Sequence, residues 1–422
     1  MLWLYLFIFF LPADAFAYLD PGTGAALVNL LLAGIATLIY ALKGFVFSLF
    51  KLGKKTQKAA QNGMSLAILS EGKQYYATFE PIIRSLIQEK IEFSYWTLDV
   101  EDPALLIDSE YMQSRFLGYG AWAFSRAGNI KADYLLCTTP NIGCKGYPIR
   151  KSPLVKNLVH VFHSINDLSM YRSGSLDYYD MVIMVGNFQA SSIREIEKKR
   201  HLKEKRLLTL GIPYLDVYSK GRATENSSNK VKTILIGSSW GSKGLLSHYG
   251  TDFIRILAGK GYQLILRPHP QSLVSEQAML EKCKADLQQY KNVIWNTETS
   301  PQQAMNQADI LISDTSSLRF DFAFVYEKPV ITLEIPSTAM PGYERDDLAS
   351  IWSDSAEKEI GFCLAEKDLN QLPDFVEKAM LQYDPGRIRK FRDSTLANYT
   401  ECGKAIAGFF ALELKSKEGS DA

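Results

Sequence analysis

Two short segments of this sequence set phosphate-binding side chains directly after apolar runs. Arg267-Pro268-His269-Pro270 follows Tyr262-Gln-Leu-Ile-Leu266. Residues at i and i+2 of an extended chain share a face, so Arg267 and His269 can both point into one cleft. A guanidinium offers a planar fork for phosphate oxygens, and an imidazole adds one more donor. The two prolines stop the strand and stiffen the turn. Ser313-Asp314-Thr315-Ser316-Ser317 follows Ile310-Leu-Ile312 and precedes a helical segment, Leu318 to Tyr326. Strand, hydroxyl-rich turn and helix bring backbone N–H groups, hydroxyls and the positive end of a helix dipole to one place, which suits an anion. Asp314 fits a helix cap, a ribose or a base better than a phosphate. A third turn, Gly237-Ser238-Ser239-Trp240-Gly241-Ser242-Lys243, permits close backbone approach, with Lys243 adding charge. It lacks the G-x-G-x-x-G and Walker patterns, which argues against a dinucleotide oxidoreductase and a P-loop ATPase.

On the other side, the informative residue is His163, at the end of Leu158-Val-His-Val-Phe-His163. An imidazole with its ordinary near-neutral pKa is a suitable general base for attack by a hydroxyl, and Asp167 or Asp177 could orient it. His160, within the same strand, reads as packed, and His201 and His248 read as surface residues. The expected catalytic groups are therefore His163, His269 and Arg267. Those expected on the donor are Arg267, His269, Ser313, Asp314, Ser316, Ser317, Ser238 and Ser239. The sequence shows no Asp/His cluster suggesting a metal, and no cofactor is expected.

These residues need a frame that presents strand ends. Short apolar runs alternate with helical periodicity along most of the chain, which implies parallel sheets covered by helices. Strands are expected at 65–70, 91–98, 132–138, 158–163, 180–185 and 207–210, then at 233–237, 263–266, 293–295, 310–312 and 330–333. Helices are expected at 75–89, 252–258, 274–289, 301–307 and 316–326. The polar stretch from Lys220 to Asn229 interrupts the rhythm and reads as a linker. The fold class is thus α/β, with two Rossmann-like domains facing a cleft. The expected division is 1–50 membrane anchor, 51–63 linker, 64–219 acceptor domain, 220–230 linker, 231–384 donor-nucleotide domain and 385–422 C-terminal helices.

The anchor is read from Met1 to Pro12, nearly all apolar, and from Gly24 to Leu42, apolar without a charge for about the length of a bilayer span. Lys43, Lys51, Lys54, Lys55 and Lys58 follow, which by the positive-inside rule puts the rest on the cytoplasmic face of the membrane. Whether residues 1–17 are cleaved stays open. With 47 Lys+Arg against 46 Asp+Glu the chain lacks the basic balance of a general nucleic-acid binder. Its five cysteines are scattered and read as reduced thiols.

With these residues assembled, the chain resembles the CDP-glycerol glycerophosphotransferase family, the membrane-associated polymerases and primases of teichoic acid synthesis. The resemblance runs from about His160 to Leu333. Its strongest parts are Arg267-Pro-His-Pro270, Ile312-Ser-Asp-Thr-Ser-Ser-Leu-Arg-Phe-Asp-Phe-Ala323 and Lys328-Pro-Val-Ile331. It implies a GT-B fold, with Arg267, His269, Ser316 and Ser317 on the donor pyrophosphate. It also implies CDP-glycerol or a similar donor, a lipid-linked or polymeric glycan as acceptor, and a membrane partner. The family's catalytic histidine stands in a His-Gly-Thr-Pro sequence, whereas His163 is followed by Ser-Ile-Asn. Two alternatives stay open: a glycosyltransferase or epimerase using a nucleotide sugar, and a catalytically silent scaffold in polysaccharide assembly.

Overall fold

The computed structural model describes residues 63–222, 232–298, 300–335 and 346–418. The expected anchor at 1–50, its linker and most of the linker at 220–230 lie outside the described residues. Among the described residues no helix is long and apolar enough to cross a membrane.

The first lobe runs β1 (Leu66–Ser70), α1 (Tyr76–Gln88), β2 (Phe93–Thr97), β3 (Met112–Phe116), α2 (Gly120–Ala127), β4 (Ala132–Cys137) and β5 (Val155–Val161). It continues with β6 (Met181–Met184), α3 (Ala190–Lys199), β7 (Arg206–Thr209) and α4 (Tyr214–Lys220). Its strands form one parallel sheet in the order β3-β2-β1-β4-β5-β6-β7. The second lobe opens with β8 (Thr233–Gly237), α5 (Leu245–Tyr249), α6 (Asp252–Gly259), β9 (Gln263–Arg267), α7 (Ser272–Ser275), α8 (Gln277–Leu287) and β10 (Val293–Trp295). Then come α9 (Gln302–Gln307), β11 (Ile310–Ser313), α10 (Leu318–Tyr326), β12 (Val330–Leu333), α11 (Trp352–Ile360) and β13 (Gly361–Leu364). The chain closes with α12 (Leu372–Gln382), α13 (Pro385–Thr395) and α14 (Cys402–Glu418). The second sheet, also parallel, has the order β10-β9-β8-β11-β12-β13.

Central strands such as β1 and β11 are buried along their whole length. Helices on both faces exclude water, so these strands read as unbroken apolar runs. Two strands were not expected. β3 is an edge strand of sequence Met-Gln-Ser-Arg-Phe, and β13 follows α11 without a connecting residue. The helix expected over 274–289 breaks at Glu276, which separates α7 from α8.

The chain ends by returning to its first lobe. Ile406, Ala407 and Phe410 of α14 join the core that holds Leu66, Phe79 and Ile83. A Cβ at Gly403 would lie 2.5 Å from the Pro81 backbone, so only glycine lets α14 approach α1 this closely. The carboxylate of Asp216, on α4, accepts from the first N–H groups of α14, at Cys402 (3.0 Å) and Gly403 (2.8 Å). A second apolar core continues from lobe to lobe. There Phe188 of the first lobe stacks on Trp352 of the second, with centroids 4.0 Å apart.

Candidate functional site at the carboxyl edges of two parallel sheets

In parallel sheets the connections leaving the strands' carboxyl ends gather on one edge, where ligands bind. Three such turns meet on the second sheet. The turn after β8 carries Ser238 and Ser239, the one after β9 carries His269, and the one after β11 carries Asp314 to Ser317. Asp314 is fully buried and draws two of them together. Its carboxylate accepts from Ser239 N (2.8 Å), Ser239 Oγ (2.6 Å), Leu245 N (3.0 Å) and Ser316 N (2.9 Å). Ser313 Oγ donates to the Gly237 carbonyl at 2.7 Å, and Ser238 N donates to the Arg267 carbonyl at 3.3 Å. Ser238 Oγ donates to the Ser239 carbonyl at 2.8 Å. A Cβ at Gly244 would sit 2.1 Å from the Ser239 carbonyl oxygen, so the β8 turn closes on itself only with glycine there. Ser313, Asp314 and Ser238 thus have their polar atoms engaged within the protein, while Ser316 and Ser317 stand half-buried at the start of α10.

Arg267 ends β9 itself, one residue further than the expected strand. Its Nη1 donates to Asn296 Oδ1, and Asn296 follows β10 as Arg267 closes β9. Burial pulls its pKa down, while the nearby Tyr218 and Glu298 pull it back up; an arginine stays charged throughout. Tyr218 reaches it from α4, the last helix of the first lobe. His269 Nδ1 accepts from Gln271 N at 3.1 Å, which fixes the hydrogen on Nε2. Burial first, then the charge of Arg267, lower its pKa, so a neutral His269 presents one N–H donor beside a cation. Charge, a side-chain N–H and a helix start therefore stand on one edge, and that set can bind phosphate.

On the first sheet His163 lies two residues beyond β5. Its ring packs edge-on against Tyr75, with centroids 5.1 Å apart. Burial lowers its pKa to about 4, opposed by a hydrogen bond to the Thr138 backbone. This departs from the near-neutral value expected from sequence, since a ring inside the protein loses the hydration that favours its charged form. Its Nδ1 is buried with no hydrogen-bond partner among the described residues. Neither aspartate proposed to orient it does so. Asp167 accepts from Ser169 N and Ser353 N at 2.9 Å each, and Asp177 pairs with Arg200. His160 is packed as expected, fully buried with its pKa lowered to about 3. Sequence reasoning passed over Asn296, Tyr218 and Glu71, although the first and last directly follow strands.

Residues 169–335 match the protein family described as CDP-Glycerol:Poly(glycerophosphate) glycerophosphotransferase. That span holds the three donor-side turns and begins just after His163. A comparison with curated proteins found no match. Among solved structures, the wall teichoic acid polymerase TagF, soaked with CDPG, superposes with a TM-score of 0.53 at 16% identity, over 92% of this chain and 97% of that one. The UDP-GlcNAc 2-epimerase of Methanocaldococcus jannaschii gives 0.52 at 11% identity, over 82% and 99% of the two chains. A putative UDP-N-acetylglucosamine 2-epimerase from Listeria monocytogenes gives 0.54 at 12%, over 84% and 97%. These likenesses establish the GT-B-like arrangement of two parallel Rossmann-like sheets. The residues that build this edge of the second sheet say more: they all fall inside the span through which the chain is similar to the CDP-Glycerol:Poly(glycerophosphate) glycerophosphotransferase family.

Proposed function

We propose that this protein transfers a glycerophosphate, or a related alditol phosphate, from a CDP-activated donor to a hydroxyl of a lipid-linked or polymeric glycan. The observation that carries the reading is the joining of Arg267, His269 and the Ser316–Ser317 helix start on one sheet edge, inside the family match. In this reading the Arg267 guanidinium and the Nε2–H of His269 bind the donor pyrophosphate. The acceptor oxygen attacks the β-phosphorus, the bond to the bridging oxygen breaks, and CMP leaves with the electron pair. Fixed donors around the transferring group stabilise the charge that grows on its oxygens, the dominant contribution in such sites. In the same reading His163, whose buried Nδ1 has no hydrogen-bond partner among the described residues, takes the hydroxyl proton as the acceptor docks against it. The Lys-flanked apolar N-terminus would hold the enzyme at the cytoplasmic face of the membrane, beside its acceptor.

Equilibrium titration of the full chain with CDP-glycerol and with UDP-GlcNAc tests the donor assignment. The expected result is binding of CDP-glycerol that Arg267→Ala weakens at least tenfold. Preference for UDP-GlcNAc would sink it in favour of a nucleotide-sugar enzyme.

A further inference from the structure

Glu71 directly follows β1, and β1 is the neighbour of β4 in the first sheet. It therefore shares the carboxyl edge with Thr138 and Thr139, which follow β4, and with His163. Its Oε1 accepts from the Tyr147 hydroxyl at 2.7 Å. Burial raises its pKa, and hydrogen bonds from Tyr147 and Thr139 act in the opposite sense. Its charge helps raise the pKa values of Tyr75, Cys137, Tyr147 and Tyr179. Lys73, two residues on, is paired with Glu101 at 2.6 Å. Tyr75 joins this group to the site already described, since its ring meets that of His163.

A carboxylate kept only to hold the fold normally takes backbone N–H groups or a cation. Several other acids of this chain do so, although Asp321 takes the Tyr214 hydroxyl. Asp314 accepts three backbone N–H groups and Asp216 two, and Asp99 accepts from the N–H groups of Lys73 (3.1 Å) and Glu101 (2.8 Å). Among the described residues Glu71 has neither kind of partner. On the same sheet edge, the fully buried Oγ1 of Thr138 and Nδ1 of His163 also lack hydrogen-bond partners among the described residues. The half-buried Glu71 carboxylate and Tyr147 phenol are groups suited to bind hydroxyls, each of which gives one hydrogen bond and accepts others.

We propose that Glu71 and Tyr147 form a polyol subsite beside His163, which binds a second hydroxyl of the acceptor and so selects a diol end. The subsite rests on the reading in which His163 meets the attacking hydroxyl. A hydrogen bond to a charged group corresponds to about a 10- to 100-fold preference for the diol over an analogue lacking that hydroxyl.

The test uses the full chain and two soluble esters, octyl phosphoglycerol and its counterpart built on propane-1,3-diol. Titrating each without donor reads the subsite alone, and a separate titration with CDP-glycerol reads the proposed function. The wild type should bind the glycerol ester 10- to 100-fold more tightly. Glu71→Gln and the gentler Tyr147→Phe should bring the two esters towards equal affinity while leaving CDP-glycerol binding unchanged. In turnover the loss should appear in the acceptor KM rather than in kcat. Equal affinity of the wild type for both esters overturns the proposal, as does a diol preference surviving in folded Glu71→Gln and Tyr147→Phe.

Discussion

The carboxyl edges of the two sheets are built from the same kind of strand-to-helix turn, yet they use their polar groups in opposite ways. On the second sheet Asp314 engages four donors and Ser313 bonds back to the neighbouring strand. Two turns are thereby fixed by the protein's own bonds, and the buried Arg267 and the half-buried His269 stand at the end of the strand beside them. On the first sheet the Thr138 hydroxyl and His163 Nδ1 lie buried without partners, and Glu71 lacks a cation, among the described residues. In the proposed function the second edge takes a pyrophosphate, which is the same in every turnover, so a rigid cradle would suit it and preorganisation would carry the catalytic effect. In the same proposal, an acceptor end would be met by groups whose hydrogen bonds remain to be made.

The contrast can be broken by substitution. Arg267→Ala removes the charge on the donor edge and should lower kcat/KM about 10²- to 10³-fold, whatever acceptor is offered. A loss below tenfold would place the phosphate elsewhere. His163→Ala should cost about 10²-fold, the lower end for general bases, because a ring with pKa about 4 is a weak proton acceptor. It should also leave CDP-glycerol affinity intact, which isothermal titration would check. The kcat/KM profile of the unsubstituted enzyme should show no ionisation of His163 between pH 5 and 8, since the ring is neutral throughout that range. Asp314→Ala should uncouple the donor turns. It leaves several N–H groups unpaired, so urea unfolding should show a loss of about 3 kcal/mol or more. Donor affinity should fall with it, which separates a framework residue from a contact residue.

The smallest effect concerns Asp321, in the first turn of α10. Burial raises its pKa to about 7, and its partner is the Tyr214 hydroxyl of α4. The folded value lies above the ordinary 3.8, so the unfolded chain gives up its proton first as pH rises. Stability is therefore lost as pH climbs towards 7. Asp321→Asn abolishes that loss and should gain about 1–2 kcal/mol at pH 8, with little gain at pH 4, in thermal melts across pH. His160 and His163 act in the other direction. Their folded values lie below 6.5, so stability falls as pH drops below that value, through proton uptake by the unfolded chain.

Much of this contrast was legible in the sequence on one side only. The donor edge announces itself because its residues are contiguous: Arg-Pro-His-Pro and Ser-Asp-Thr-Ser-Ser each lie within five positions, directly after apolar runs. The central strands were equally plain, since burial on both faces demands continuous apolar residues. β3 escaped because an edge strand keeps polar side chains, and β13 because the preceding helix runs straight into it. The edge of the first sheet is assembled from Glu71, Tyr75, Thr138, Tyr147 and His163, spread over three connections, and no local pattern marks it. Inspecting the residue after every strand would have found Glu71. Nothing in the sequence reveals that His163 is desolvated, or that Asp167 and Asp177 are engaged elsewhere, because both depend on neighbours distant along the chain.

The return of α14 to α1 makes the order of synthesis matter. The first lobe's sheet is encoded before residue 210, yet its face under α1 is closed by side chains near residue 410. A nascent chain must therefore keep Ile82, Ile83 and Phe79 partly uncovered while the whole second lobe emerges. The second lobe has its own core and can fold first. The first lobe waits for the last helix, so it is expected to be the slower-maturing half, and the one most exposed to aggregation before that helix docks.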